Sequence, residues 1–187
     1  MLFNIRQNAQ NKRLCASQAS APNITRIYFK RVVEKMQLFK SSPVKAPRVF
    51  FADAPHLYSI LMPFYEEEVI HQPNIGPKLL NTGLCFRNVY PDLNAAITIN
   101  ARQQHWEMFA GLDQHTPEPD ITVYAAADLA HMFWLGRLNI LKAMRHGQLK
   151  YQGPLLSILH LLPALFPAMR QYPHYLKRAG HHDLLDF

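Results

Sequence analysis

Cysteine and the common catalytic signatures are scarce in this chain. The two cysteines, Cys15 and Cys85, are too few for a disulfide framework and lack a Cys-x-x-Cys spacing. This usage is typical of a reducing compartment, so a cytoplasmic protein is expected. The sequence has no Gly-x-Ser-x-Gly elbow, no phosphate-binding loop and no Gly-x-Gly-x-x-Gly turn. We therefore expect no enzyme, no catalytic residue and no cofactor.

Long apolar runs are also scarce. Residues 1–13 are polar and lack the apolar core of a secretory signal. The longest uncharged run, residues 151–169, has nearly the length of a membrane span, but it contains Pro154, Pro163 and Pro167. Because an internal proline breaks a helix, we expect a short buried helix that stops near Pro163.

Acidic residues are nearly absent from the first 48 positions, which hold ten Lys and Arg and one acid, Glu34. The net charge of the whole chain is +7, so the remainder is close to neutral. Residues 1–22 are predicted to form a flexible basic tail, with a mitochondrial transit peptide as the alternative. Residues 24–40 form a basic amphipathic face, which either contacts an anionic membrane peripherally or remains solvated. Without a recognisable nucleic-acid-binding signature, no nucleic-acid partner is expected.

The rest of the chain has a globular composition, with 49% hydrophobic and 18% charged residues. Helices are predicted over residues 23–39, 55–70 and 75–80. The second is kinked at Pro63 and has Leu57, Leu61, Phe64 and Tyr65 as its apolar side. Alternating apolar residues then predict strands over 94–101 and 105–112, followed by a third strand over 120–125. The short connections favour an antiparallel meander of these three strands.

Two short helices and a strand follow. Asp128 and Asn139 are each placed to cap a helix, and Gly136 and Gly147 are placed to end them. A brief strand over 149–151 precedes a helix that begins near Pro154 and carries leucines around its whole circumference. Such a helix is buried or borders an apolar cavity. The order of elements predicts an α+β fold.

This ordered series resembles the sterol-binding domain of the sterol carrier protein 2 family. The residues that carry the resemblance are Asp120-Ile-Thr-Val-Tyr-Ala, Asp128-Leu, Trp134-Leu-Gly-Arg-Leu, Lys142-Ala-Met and His146-Gly-Gln-Leu-Lys-Tyr-Gln-Gly, followed by the Leu-rich helix. The resemblance covers residues 84–170. It implies a five-stranded antiparallel or mixed sheet covered by helices around an apolar tunnel, with residues 23–83 as a helical N-terminal extension. Residues 84–173 would form the lipid-binding domain, and 174–187 a C-terminal tail.

What the resemblance implies for function is non-catalytic binding or transfer of a sterol-like, fatty acyl or isoprenoid lipid. The matched positions that would line the tunnel are Phe133, Trp134, Leu138, Ile140, Leu155, Ile158, Leu159 and Leu162. Trp106 and Met108, from the strand pair, would face them if the alternation of their strand points inward. Two alternatives stay open: an accessory protein that presents a lipid intermediate, such as a quinone precursor, to partner enzymes, and a structural module with a filled cavity. The end of the chain, Leu185-Asp-Phe187, lacks the peroxisomal Ser-Lys-Leu signal, which favours a stand-alone bacterial member.

The remaining polar clusters have simpler interpretations. His181, His182 and Asp183 lie too close in sequence to hold one metal ion together, so no metal site is expected. Glu66-Glu67-Glu68 with His71 is interpreted as a solvated helix end. His131, between apolar neighbours, is expected to be a hydrogen-bonded, half-buried residue.

Overall fold

The computed structural model describes residues 49–185. The predicted tail over 1–22, the helix over 23–39 and the basic face over 24–40 lie outside the described residues. Within the last helix, the side chains of residue 155 and residues 158–161 also lie outside the description. The predictions for Leu155, Ile158 and Leu159 therefore remain predictions.

The described chain alternates helices and strands in an α+β order. Its five α-helices are α1 (Ala54–Tyr65), α2 (Gly76–Leu80), α3 (Ala127–Trp134), α4 (Ile140–Arg145) and α5 (Leu155–Arg178). Its five strands are β1 (Cys85–Tyr90), β2 (Ala95–Asn100), β3 (Glu107–Ala110), β4 (Ile121–Ala125) and β5 (Leu149–Gln152). A π-helix (Glu66–Ile70) extends α1, and a 3-10 helix (His182–Leu185) follows α5.

The strands form one mixed sheet in the order β3-β2-β1-β4-β5. β1, β2 and β3 are antiparallel neighbours, β4 pairs parallel to β1, and β5 returns antiparallel to β4. The five-stranded mixed sheet with covering helices confirms the predicted fold class. The predicted meander is wrong in one respect, because β4 lies next to β1 and not next to β3.

This difference follows from strand β1, which periodicity did not reveal. Its sequence, Cys-Phe-Arg-Asn-Val-Tyr, places Arg87 and Asn88 side by side and so has no clean alternation. β1 nevertheless occupies the centre of the sheet, bonded on both edges. The loop over 111–120 is long enough to carry the chain from β3 across to the free edge of β1.

Helix α1 matches its prediction closely. Asp53 caps it by accepting a hydrogen bond from the His56 backbone N–H at 2.8 Å. All members of the predicted apolar side are buried, namely Leu57, Leu61, Phe64 and Tyr65. The predicted kink at Pro63 corresponds to a change of helix type, because the chain passes into the π-helix three residues later.

One hydrophobic core spans the predicted boundary between residues 83 and 84. Phe64, Val69 and Leu79 from the N-terminal side pack in the same cluster as Ile97 and Trp134. The Tyr175 hydroxyl of α5 donates to the Ile60 carbonyl at 2.9 Å. Residues 49–83 therefore build the same core as the sheet and do not stand apart from it.

The C-terminal predictions need correction. α5 does not stop near Pro163 but continues through Pro163, Pro167 and Pro173 to Arg178. The predicted tail over 174–187 begins inside this helix, and Leu184 beyond it is only 1% exposed. An internal proline costs about 3 kcal/mol, whereas each large apolar side chain that becomes buried contributes about 1.5–3 kcal/mol. α5 buries several such side chains, so packing outweighs the local preference.

The two predicted caps have different outcomes. Asn139 caps α4, as predicted, by accepting from the Lys142 N–H at 2.9 Å. Asp128 does not cap α3, whose N-cap is Ala126. Its carboxylate instead accepts from the Phe50 N–H at 2.8 Å and so fixes the start of the described chain against α3.

The acidic cluster before His71 is not simply a solvated helix end. Arg178 bridges Glu67 and Glu68, with both nitrogen–oxygen distances at 2.9 Å. Glu68 is buried and also accepts from Gln72. These acids therefore tie the π-helix to the end of α5.

His131 is fully buried, whereas the sequence predicted a half-buried residue. Both of its ring nitrogens are hydrogen-bonded, as predicted. Its Nε2 donates to the Leu184 carbonyl at 2.9 Å, which leaves Nδ1 to accept from the Tyr172 hydroxyl at 2.9 Å. Burial lowers the pKa of His131 to about 4 from its ordinary value of 6.5. The folded protein therefore holds a neutral imidazole that joins α3, α5 and the C-terminal 3-10 helix.

This histidine predicts a loss of stability in mild acid. The imidazole of His131 takes up a proton near pH 6.5 in the unfolded chain but only near pH 4 in the folded chain. The contribution of neutral His131 to the free energy of unfolding is therefore complete above pH 6.5 and declines as the pH falls toward 4. The total loss is about 3 kcal/mol. Urea unfolding of the wild type and His131→Leu across this range measures it, and the stability gap between them should narrow on acidification. A gap that stays constant would contradict the prediction, and His105→Gln, at an exposed histidine, is the control.

Candidate functional site

An apolar cavity lies between one face of the sheet and the helices. Its volume is about 180 Å³. The wall residues are Tyr65, Val69, Leu79, Phe86, Arg87, Asn88, Val89, Tyr90, Ile99, Trp106, Ile121, Val123, Ala125, Leu129, Ala130, Phe133, Trp134, Leu138, Ile140, Met144, Leu149, Tyr151, Leu162 and Leu165. Both tryptophans of the sequence are among them.

Strand register decides which sheet residues face the cavity. Phe86 pairs with Ile99 on β2 and with Ile121 on β4. Because side chains alternate along a strand, the second residue on from each of these lies on the same face. Strands β2, β1 and β4 therefore present mostly apolar side chains to the cavity. Strand β5 extends this surface, because its Tyr151 pairs with Val123 of β4.

The helical side of the cavity is built around Trp134. Its ring centre lies 4.9 Å from Phe64, 5.5 Å from Tyr65 and 4.9 Å from Phe133. Edge-to-face contacts of this kind hold aromatic rings in fixed orientations. The wall at α3 is consequently a packed aromatic cluster that is supported from behind by α1.

The hydroxyls of Tyr65 and Tyr90 form a hydrogen-bonded pair at 3.3 Å. Burial is the main cause that raises the pKa of each phenol above its ordinary value. Both groups are therefore neutral at physiological pH. They pair with each other and bring no charge to the wall.

Arg87 borders the cavity but directs its guanidinium elsewhere. Its Nε donates to Thr98 Oγ1 at 3.0 Å and its Nη2 to the Pro117 carbonyl at 2.6 Å, both on the opposite side of the sheet. The next residue, Asn88, shares the cavity face with Phe86 and Tyr90. Its amide is therefore the polar side chain of β1 that faces the cavity.

Six of the ten predicted tunnel residues line this cavity: Trp106, Phe133, Trp134, Leu138, Ile140 and Leu162. Met108 is half-buried and packs against the core, but it is not part of the wall. Leu155, Ile158 and Leu159 have no described side chains. That any of these residues contacts a lipid stays a prediction.

Sequence reasoning missed the contributions of β1 and of the predicted N-terminal extension. Tyr65, Val69 and Leu79 belong to segments that were assigned to the extension, yet they line the cavity. The apolar side predicted for α1 included Tyr65, so burial was indicated, although its partner was not. Phe86 and Tyr90 could have been found only from the pairing of β1.

Other candidate chemistry is weak. Cys85 is fully buried, and burial raises the pKa of its thiol, which keeps it protonated and a poor nucleophile. Over residues 49–185, no three His, Cys, Asp or Glu side chains converge in a metal-binding arrangement. In the same part of the chain, no helix is long and apolar enough to cross a membrane.

Comparisons with known proteins give structural matches only. No protein-family model matches the chain, and no curated protein matches it in sequence. The UbiJ-SCP2 ubiquinone synthesis protein is 14% identical, with a TM-score of 0.44 over 63% of this chain and 96% of that chain. Sterol carrier protein 2 from Yarrowia lipolytica, in its apo form, is 12% identical, with a TM-score of 0.44 over 61% of this chain and 89% of that chain.

A third match is partial. A double mutant of the sec-alkyl sulfatase PisA1 is 16% identical with a TM-score of 0.39, and the match covers 50% of this chain but only 16% of the sulfatase. Sterol carrier protein 2 domains, the family that the sequence resembles, are thus among the solved structures similar to this chain. At these identities and TM-scores, the functional argument rests on the cavity itself.

Proposed function

We propose that this chain binds a hydrophobic ligand without catalysis, in the cavity between the sheet and helices α3 to α5. The observation that carries the proposal is the wall, which is built almost entirely from aliphatic and aromatic side chains. Each CH₂ group that leaves water for such a site contributes about 0.8 kcal/mol. Affinity arises from burial, so selectivity among apolar chains is broad.

The volume sets the part of the ligand that fits. An apolar cavity of about 150 Å³ holds one benzene ring, whereas sites for drug-sized ligands occupy about 300–1,000 Å³. At about 180 Å³, this cavity takes a single ring or a short chain segment. A whole sterol, fatty acyl or isoprenoid lipid binds only when the cavity widens or when the rest of the ligand extends outward.

Native mass spectrometry of the freshly purified full chain, followed by organic extraction, tests this proposal. We expect a mass shift that disappears on extraction and an apolar compound in the extract. A protein that carries nothing and also leaves the fluorescence of Trp106 and Trp134 unchanged with both propylbenzene and 4-propylphenol would contradict the proposal. Both tryptophans line the cavity, so their emission responds to an occupant.

Presentation of the ligand to a partner is the second candidate function. One observation favours it: Tyr151 of the cavity wall is 36% exposed, and Leu156, at the start of α5, is 54% exposed. Two exposed apolar side chains so near in sequence suit contact with an apolar surface. Exchange of a fluorescent lipid between vesicles by the isolated protein would favour a carrier. Ligand release only in the presence of a co-purifying protein would favour presentation.

A further inference from the structure

Asn88 is the one amide side chain among the described residues that line the cavity. It lies in the middle of the central strand, opposite Ile97 on β2 and Val123 on β4. Phe86 and Tyr90 flank it on the same face. Its neighbours Phe86, Ile97 and Val123 have no hydrogen bond to offer it, and the Tyr90 hydroxyl is bonded to Tyr65.

The Asn88 amide has no hydrogen-bonding partner among the described side chains and backbone groups. On β1 itself, the Tyr90 hydroxyl is bonded to the Tyr65 hydroxyl, and Arg87 is bonded to Thr98 and Pro117. Asn88 is half-buried, so the cavity space is where its amide meets solvent. An apolar ligand that filled this space would strip the amide of water and leave it unpaired, which is unfavourable.

The charge of the cavity wall limits which ligand group can form a hydrogen bond with the Asn88 amide. Arg87 directs its guanidinium to the opposite face of the sheet, and no other wall residue carries a charge. Burying an ionised group without a counter-charge is strongly unfavourable. An amide both donates and accepts, so it matches a neutral group that does the same, such as a hydroxyl.

We infer that Asn88 is a specificity-determining residue, which selects apolar ligands whose buried part carries a neutral hydroxyl or carbonyl group. The inference rests on the proposed function, because it assumes that the cavity is occupied. The ligand class is then a ring or short chain with one uncharged oxygen, and pure hydrocarbons and ionised acids are disfavoured.

Propylbenzene and 4-propylphenol test this inference, because they differ by one hydroxyl group. Affinities for the wild-type full chain and for Asn88→Leu are measured by tryptophan fluorescence, excited where phenols do not absorb. We expect the preference for the phenol over the hydrocarbon to fall at least about tenfold in Asn88→Leu. The variant loses the hydrogen bond to the phenol, and it no longer has an amide that propylbenzene would leave unpaired. Tyr124→Phe removes a hydroxyl from the opposite face of the same sheet and should leave the preference unchanged.

The outcomes separate this inference from the proposed function. If both ligands bind and the preference is the same in Asn88→Leu, the role of Asn88 is wrong and the cavity proposal stands. If neither ligand binds the wild type, the cavity proposal fails and the inference fails with it. Should Asn88→Leu not fold, Asn88→Thr, which keeps a smaller polar group and suits a strand, gives the same comparison with an intermediate preference expected.

Discussion

Replacing Val123 with tryptophan should abolish ligand uptake without unfolding the protein. Val123 faces the cavity from β4, between Asn88 and Tyr151 in the sheet register. A cavity of about 180 Å³ has room for the added ring, because about 150 Å³ is enough for benzene. The indole then occupies the ligand's position. We expect no detectable binding of propylbenzene and a free energy of unfolding within about 1 kcal/mol of the wild type.

The same variant distinguishes an open cavity from a solid core. If side chains filled this space in solution, the larger ring would be overpacked and would cost about 1–3 kcal/mol. Tyr124→Trp, one residue further on and facing away from the cavity, is the matched control and should bind normally. Normal ligand uptake by Val123→Trp would show that ligands do not bind here.

Replacing Phe64 with alanine should destabilise the whole protein by about 3–5 kcal/mol. Phe64 is fully buried in α1, and its ring contacts Trp134 at 4.9 Å, Tyr172 at 4.6 Å and Tyr175 at 5.5 Å between centres. It therefore joins α1 to both α3 and α5. Since a domain of this kind is stable by only about 5–15 kcal/mol, the loss is a large part of the total.

Urea unfolding followed by circular dichroism measures this effect. Ser59→Ala, at an exposed position of the same helix, should change the free energy of unfolding by less than about 0.5 kcal/mol. A single cooperative transition shifted to lower urea is expected for Phe64→Ala. Two separate transitions, with the sheet unaffected, would instead mean that residues 49–83 form an independent unit.

Local signals in the sequence were reliable where local interactions decide the structure. The Asn139 cap depends on one hydrogen bond three residues away, and Gly136 and Gly147 end their helices with φ values of 69° and 68°. The alternation of Ile97 and Ile99 with Thr98 and Asn100 marked β2, and both isoleucines are buried, although Thr98 on the other face is buried as well. The apolar side of α1 followed from helical period alone.

The site was only partly predictable, because its wall is assembled from distant segments. Trp134, Ile140 and Leu162 were found through an ordered family pattern on the C-terminal side. Tyr65 lines the same cavity from α1, and Phe86 lines it from β1, and neither element carries that family pattern. Their role depends on β1 lying at the centre of the sheet, which is a property of pairing and not of the strand's own sequence.

The sequence by itself determined the α+β order of the elements, the helix ends at Gly136 and Gly147 and the apolar side of α1, since these follow from hydrogen bonds and periodicities a few residues long. The tertiary structure decided the parallel pairing of β1 with β4, the passage of α5 through Pro163, Pro167 and Pro173, and the union of residues 49–83 with the sheet. In each of these cases, burial against distant side chains outweighs a local preference. The same packing of β1 at the centre of the sheet places Asn88 on the face that borders the cavity.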